Sequence, residues 1–145
     1  MATLRVSVAT AHPDGLLFGP TVNGKVYLSA YDHRGRDRSK STWAGDLPPP
    51  EEYSIFARAD AADHADTNGH YWGVRNVVGQ VLGSRGERLA KFPFNATPAV
   101  PWHGYPVSPA SARASEIPPD ELIETFIGTG VVSRTFGRKL QRRRA

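Results

Sequence analysis

Residues 92–109 read FPFNATPAVPWHGYPVSP, and five of these 18 residues are proline. Each proline fixes its own φ and restricts the residue before it. The stretch is therefore a stiff loop with little conformational entropy to lose on folding. A plain linker has no use for Phe92, Phe94, Trp102 and Tyr105, whose rings belong out of water. The loop is expected to pack these aromatics against a sheet, with Gly104 allowing a sharp turn between His103 and Tyr105.

The rest of the chain has the same character. Its 145 residues suit one domain with a small appendage. Fourteen glycines, 12 prolines and a hydrophobic fraction of 39% imply many turns and a modest core. The absence of cysteine excludes disulfides, thiolate metal sites and cysteine catalysis. No apolar run approaches the ~20 residues that cross a bilayer. The N-terminal MATLRVSVATAHPDG lacks the basic start and apolar stretch of a signal peptide. The expectation is a soluble, cytoplasmic protein with no membrane partner. A high content of alanine, arginine, glycine and proline points to a GC-rich genome, bacterial or phage.

Leu4, Val6 and Val8 alternate with smaller or polar residues at the period of a strand. Turn signals at Pro13-Asp14-Gly15 and Val22-Asn23-Gly24 follow. Residues 25–32 and 53–60 read as strands, and 70–83 as two short strands about a turn near 76–79. Residues 33–52 read as a long polar loop whose end, Pro48 to Pro50, is extended. Residues 85–91 either extend a strand or make one helical turn, and 110–117 read as a spacer.

Helices are expected at the C-terminus. Pro118-Pro119-Asp120-Glu121 places proline and acid where a helix begins. Leu122, Ile123, Phe126 and Ile127 share one face, and Gly128-Thr129-Gly130 ends the helix. Ser133 then caps a second helix in which Val132, Phe136 and Leu140 lie four apart. The predicted fold is α+β. It has a small antiparallel sheet of about four to five strands, proline-rich loops and a C-terminal pair of helices. It divides into a β-rich body at 1–109, a spacer at 110–117 and a helical pair with a basic tail at 118–145.

Charge is unevenly distributed. The formal net charge is +4, yet all 14 acidic residues precede Ser133. The tail SRTFGRKLQRRRA carries six basic residues. Earlier, Arg34, Arg36, Arg38 and Lys40 form a basic cluster, followed by Asp46, Glu51, Glu52, Asp60, Asp63 and Asp66. This pattern suits a polyanion, RNA ahead of DNA, or an acidic protein surface, including the 46–66 stretch of a second copy in self-association.

Several motifs fail on inspection. HADTNG at 64–69 has calcium-loop spacing, but His64 holds the first ligand position and Arg75 the twelfth. His64 and His70 with Asp63 and Asp66 match no familiar metal spacing, and a polar turn explains them more simply. Gly79 to Gly86 lacks the lysine of a phosphate loop. No metal or cofactor is expected. The C-terminal pair outlines a helix-turn-helix, but Phe126 sits where the helices meet and a third helix is missing.

Two classes of function remain. In the first, the protein binds nucleic acid. Arg134, Arg138, Lys139, Arg142, Arg143 and Arg144 contact phosphates, while Trp72 and Trp102 stack on bases. Its catalytic form is a metal-independent, toxin-like ribonuclease. There His103 is the general acid or base and His70 the second imidazole. Arg88 and Lys91 stabilise charge on the phosphate, and Tyr105 stacks nearby. In the second class the chain is a non-enzymatic interaction or assembly module of a bacterial or phage complex. It then docks through the proline-rich loop and the basic helices.

Overall fold

The computed structural model describes residues 9–34, 41–75, 80–97, 99–107 and 116–144. The strand expected at Leu4 to Val8, the turn near 76–79 and most of the spacer lie outside them. The class is α+β with antiparallel pairing, as the sequence implies, but the strands divide differently. Among the described residues six short strands form two three-stranded sheets. The first sheet contains β1 (Thr10–His12), β2 (Gly15–Phe18) and β3 (Tyr27–Ala30) in that order. The second contains β4 (Tyr71–Gly73), β5 (Leu89–Phe92) and β6 (Tyr105–Val107). The described residues also form three α-helices, α1 (Pro49–Ala61), α2 (Asp120–Gly128) and α3 (Arg134–Arg144).

Helix α1 corrects the reading of 53–60 as a strand and of Pro48 to Pro50 as an extended loop end. Pro49 and Pro50 occupy the first turn, where a missing amide hydrogen costs nothing, and Glu51 and Glu52 face the helix dipole. The buried residues are Glu52, Ile55, Phe56, Ala59 and Asp60, a helical spacing throughout. Two of these five are charged, so the inward face does not read as apolar.

Those two carboxylates dock α1 against β3. Tyr27 and Ser29 point inward from β3, and each donates to the buried Glu52, Ser29 Oγ at 2.7 Å. Just after β3, Arg34 reaches Glu52 through Nε at 3.1 Å and Nη2 at 2.7 Å. Just before β3, Lys25 Nζ lies 2.8 Å from Asp60. A cation on each side of the strand thus meets an anion near each end of the helix, which fixes the helix antiparallel to the strand.

Burial opposes ionisation of Asp60, but the polar side chains around it, the Lys25 ammonium at 2.8 Å above all, outweigh it and hold the carboxyl below its usual range. A carboxyl lowered by folding adds stability above its unfolded pKa and loses it as pH falls through the folded value. In a pH series of thermal unfolding, Lys25→Met is expected to be destabilised at neutral pH. The gap from wild type should close as pH falls through that lowered value. A gap that does not change with pH would contradict the pairing.

The second sheet is covered on both faces. Tyr71, Ala90 and Phe92 join Tyr27, Trp43, Leu47, Ile55, Phe56 and Trp102 in one cluster with α1. Trp72, Leu89 and Val107 point the other way, onto Ile117, Leu122, Ile123, Phe126, Val132 and Leu140. The alternation follows from strand geometry. The C-terminal helices therefore share a core with the sheet, and α3 contributes the fully buried Leu140.

Trp102, between β5 and β6, links the two sheets. Trp102 pairs with Tyr27 as a parallel bridge, its amide donating to Val26 at 2.8 Å while its carbonyl accepts from Leu28 at 2.6 Å. Phe92 and Trp102 are buried as expected, whereas Phe94 is exposed. Gly104 serves close packing instead of a turn. A Cβ there would collide with the Phe92 ring and lie 2.9 Å from the Lys91 carbonyl oxygen.

The α2–α3 connection matches its reading. Val131 donates to Phe126 O and Gly130 to Ile127 O, with Gly130 at φ +76, a Schellman ending. Ser133 Oγ accepts from the Phe136 amide at 3.1 Å and caps α3. The small residue at the helix crossing is Gly137, whose Cβ would meet Ile127 at 2.5 Å.

Candidate functional site

A 3₁₀ turn at Tyr31–His33 follows β3 directly. Its start is fixed by the Tyr31 amide donating to Asp14 O, and its end by the Arg34 amide donating to Tyr31 O. His33 is held on two sides. Its backbone carbonyl accepts from the Trp43 amide at 2.9 Å, and its Nδ1 lies 2.9 Å from Ser41 O. A carbonyl only accepts, so Nδ1 carries the proton there, and Nε2 is the basic nitrogen of the neutral ring. Asp32 Oδ1 lies 4.0 Å from that Nε2.

The rings of His33 and His103 are stacked, with centroids 6.5 Å apart and planes 16° from parallel. On its other contact, His33 stacks on Tyr105 at 5.8 Å. Partial desolvation pulls the His103 pKa below its ordinary value. The neighbouring His33 pulls the same way, and Asp32 pushes against both. The balance favours the neutral, proton-accepting form of His103. Tyr105 donates to both oxygens of Glu116 at 3.2 Å. Burial, with the Glu116 charge and hydrogen bond, pushes its phenol up to about 12. Tyr105 stays a phenol and supports the His33 ring.

The structure joins two of the sequence's catalytic candidates, His103 and Tyr105, through a residue the sequence reading did not select. His70 is engaged elsewhere. Its Nδ1 accepts from the Phe94 amide at 2.9 Å, and among the described residues its ring makes no contact with His103. Lys91 is buried, sits 5.3 Å over the Trp72 ring and is paired across the sheet with Tyr105. Arg88 is exposed. Leu89 opposes Val107 and Lys91 opposes Tyr105, which puts Arg88 at the opposite end of β5 from His103.

Neither tryptophan offers a face to a base. Trp72 is 1% exposed and donates through Nε1 to Asp66, and Trp102 is 8% exposed. The same 3₁₀ turn that carries His33 also carries an exposed ring, Tyr31, at 58%. Asp66 also accepts from the Asn68 and His70 amides, so the 64–69 stretch is a turn built on its carboxylate. His64 packs edge-on against Phe126, and burial lowers its pKa while Asp63 opposes this.

Of the tail cations, Arg134, Lys139 and Arg142 are exposed on α3. Arg138 is bound to Glu124 of α2 and to Gln141. The side chains of Arg143 and Arg144 lie outside the described residues. The acidic stretch meets cations within the same chain. Glu52 takes Arg34, Asp60 takes Lys25, and the buried Arg75 takes Glu51 at 2.6 and 3.1 Å and Asp46 at 3.1 Å. Asp46 and Asp63 of this stretch nevertheless remain exposed.

Among the described residues no group of three His, Cys, Asp or Glu side chains is placed to hold a metal ion, and no helix is long and apolar enough to cross a membrane. No known protein family, curated protein or solved structure matches this chain.

Proposed function

We propose that this protein binds RNA and cleaves it without a metal, using His33 and His103 as an acid–base pair. The observation that supports this most is the stack of the His33 and His103 rings, on a turn that also carries the exposed Tyr31. A base stacks on Tyr31, which sets the adjacent phosphate beside the two rings. His103, held neutral, takes the proton of the ribose 2′-hydroxyl as that oxygen attacks phosphorus. His33, in its protonated form, gives a proton to the departing 5′-oxygen. The products are a 2′,3′-cyclic phosphate and a 5′-hydroxyl end. The chain leaves this site at Arg34 and returns at Ser41, and the intervening sequence carries Arg36, Arg38 and Lys40.

The exposed cations of α3 give sequence-independent phosphate contacts. Truncation is the wrong test of them, because it also removes the core residue Leu140. Replacing Arg134, Lys139 and Arg142 together by glutamine keeps that core. Measured on single-stranded RNA across a salt series, the variant is expected to bind more weakly. The slope of log K against log salt should fall by roughly two. An unchanged slope would remove α3 from the interface.

A second reading, a non-enzymatic assembly module, is favoured by one observation. Val22, Val26, Phe94 and Val100 are exposed large apolar side chains. Val26 and Val100 line a groove that includes Leu17 and Pro101. Partner capture that survives loss of both imidazoles would favour this reading.

A further inference from the structure

A second cleft, of about 510 Å³, opens between the C-terminal half of α1, β4 and the turn joining α2 to α3. It is remote from the imidazoles along α1. His33 adjoins the N-terminal half of the helix through Arg34 and Glu52, whereas Arg58, Ala59, Ala61 and Ala62 line the cleft. Ile55, Ala59, Val74 and Val131 give it an apolar wall. Gly73 also lines it, and a Cβ there would lie 2.8 Å from Ile55. The volume falls within the range that takes a small organic ligand.

The polar side chains lining the cleft are Arg58, His64 and Arg75, and none is acidic. Arg75 is committed to the chain itself, through Glu51, Asp46 and the carbonyls of Asp46 and Val81. Arg58 differs. Among the described residues its hydrogen bond goes to Val74 O at 3.2 Å, across the cleft, from one of its two Nη atoms. The last carbonyls of α1 do not oppose an anion strongly. Those of Arg58, Ala59 and Asp60 already accept from the amides of Ala62, His64 and Asp63. We propose that this cleft binds a small amphipathic carboxylate, its aromatic or branched body against Ile55, Ala59, Val74 and Val131 and its carboxylate on Arg58. His64, at the same wall, donates a second hydrogen bond.

The test is a chemical-shift titration of the ¹⁵N-labelled full chain with 4-phenylbutyrate, and separately with the uncharged 4-phenylbutyramide. Saturable shifts are expected at Gly73, Val74, Gly130 and Val131, stronger binding for the acid than for the amide. Arg58→Gln keeps a donor for Val74 O and is expected to weaken the acid by about tenfold while leaving the amide nearly unchanged. Ala62→Trp, at the exposed rim, is expected to weaken both. Equal affinity of acid and amide would overturn the proposal. So would shifts confined to other residues, or none that saturate by about 10 mM.

Discussion

Replacing Glu52 by alanine is expected to cost about 3–5 kcal/mol and to leave little folded protein. The carboxylate is fully buried and accepts from Tyr27, Ser29 and twice from Arg34. Alanine strips all four bonds at once and leaves a largely buried guanidinium with, among the described residues, the Leu47 carbonyl as its hydrogen-bond acceptor. Burial raises the Glu52 pKa, and the bonds from Tyr27, Arg34 and Ser29 offset only part of that. The sign is opposite to that of Asp60. A carboxyl raised by folding contributes most below its unfolded pKa, and the contribution declines as pH rises toward the folded value. Desolvation of this ion pair is therefore costly, and its retention sets the pairing of α1 with β3. The double variant Arg34→Met with Glu52→Met should accordingly be more stable than Glu52→Ala, because no charge is left unpaired. Urea denaturation of the set checks this. A loss below about 1 kcal/mol in Glu52→Ala would show that the network carries little of the fold.

Loss of His103 is the second large effect. His103→Ala is expected to reduce RNA cleavage by about 10²–10⁴-fold, the usual worth of a positioned acid or base. His33→Ala should act similarly, and the double variant little worse than either single one, since the two imidazoles work on the same step. The rate should rise with pH through the lowered His103 value, placing the acidic limb below that of an unperturbed histidine. His70→Ala separates the structural assignment from the sequence one. It removes an acceptor for the Phe94 amide and is expected to cost stability, on the order of 1 kcal/mol, with cleavage retained. Circular dichroism on each variant establishes that the fold survives.

What could be read from the sequence depended on whether apolar residues marked the buried face. The C-terminal pair was legible because Leu122, Ile123 and Phe126 are apolar and proline, acid, glycine and serine stand at the helix ends. Helix α1 carries the same opening signal, proline then glutamate, but its inward face begins with Glu52 and ends with Asp60. Their partners, Lys25 and Arg34, lie on either side of a different element, so the compensation is invisible along the chain. The basic tail looked like an appendage because its six cations mask Phe136 and Leu140. The packing of Phe92 and Trp102 was legible, since prolines stiffen the loop and rings leave water, but the exposure of Phe94 was not. Gly104 was read as a turn because no sequence signal distinguishes that from close approach to Phe92. His33 was missed for a simpler reason. Its meeting with His103 is set by β3, the 3₁₀ turn and the Trp102 bridge, and none of these leaves a spacing in the chain.

The most direct test of the imidazole pair is the chemistry of its product. A short single-stranded oligoribonucleotide is incubated with the purified protein in excess EDTA, beside a copy carrying 2′-O-methyl groups throughout. Cleavage of the first to a 2′,3′-cyclic phosphate and a 5′-hydroxyl, with the second left intact, is the result expected of His33 and His103 acting on the ribose hydroxyl. No cleavage of either, or cleavage to 5′-phosphate ends, would contradict it.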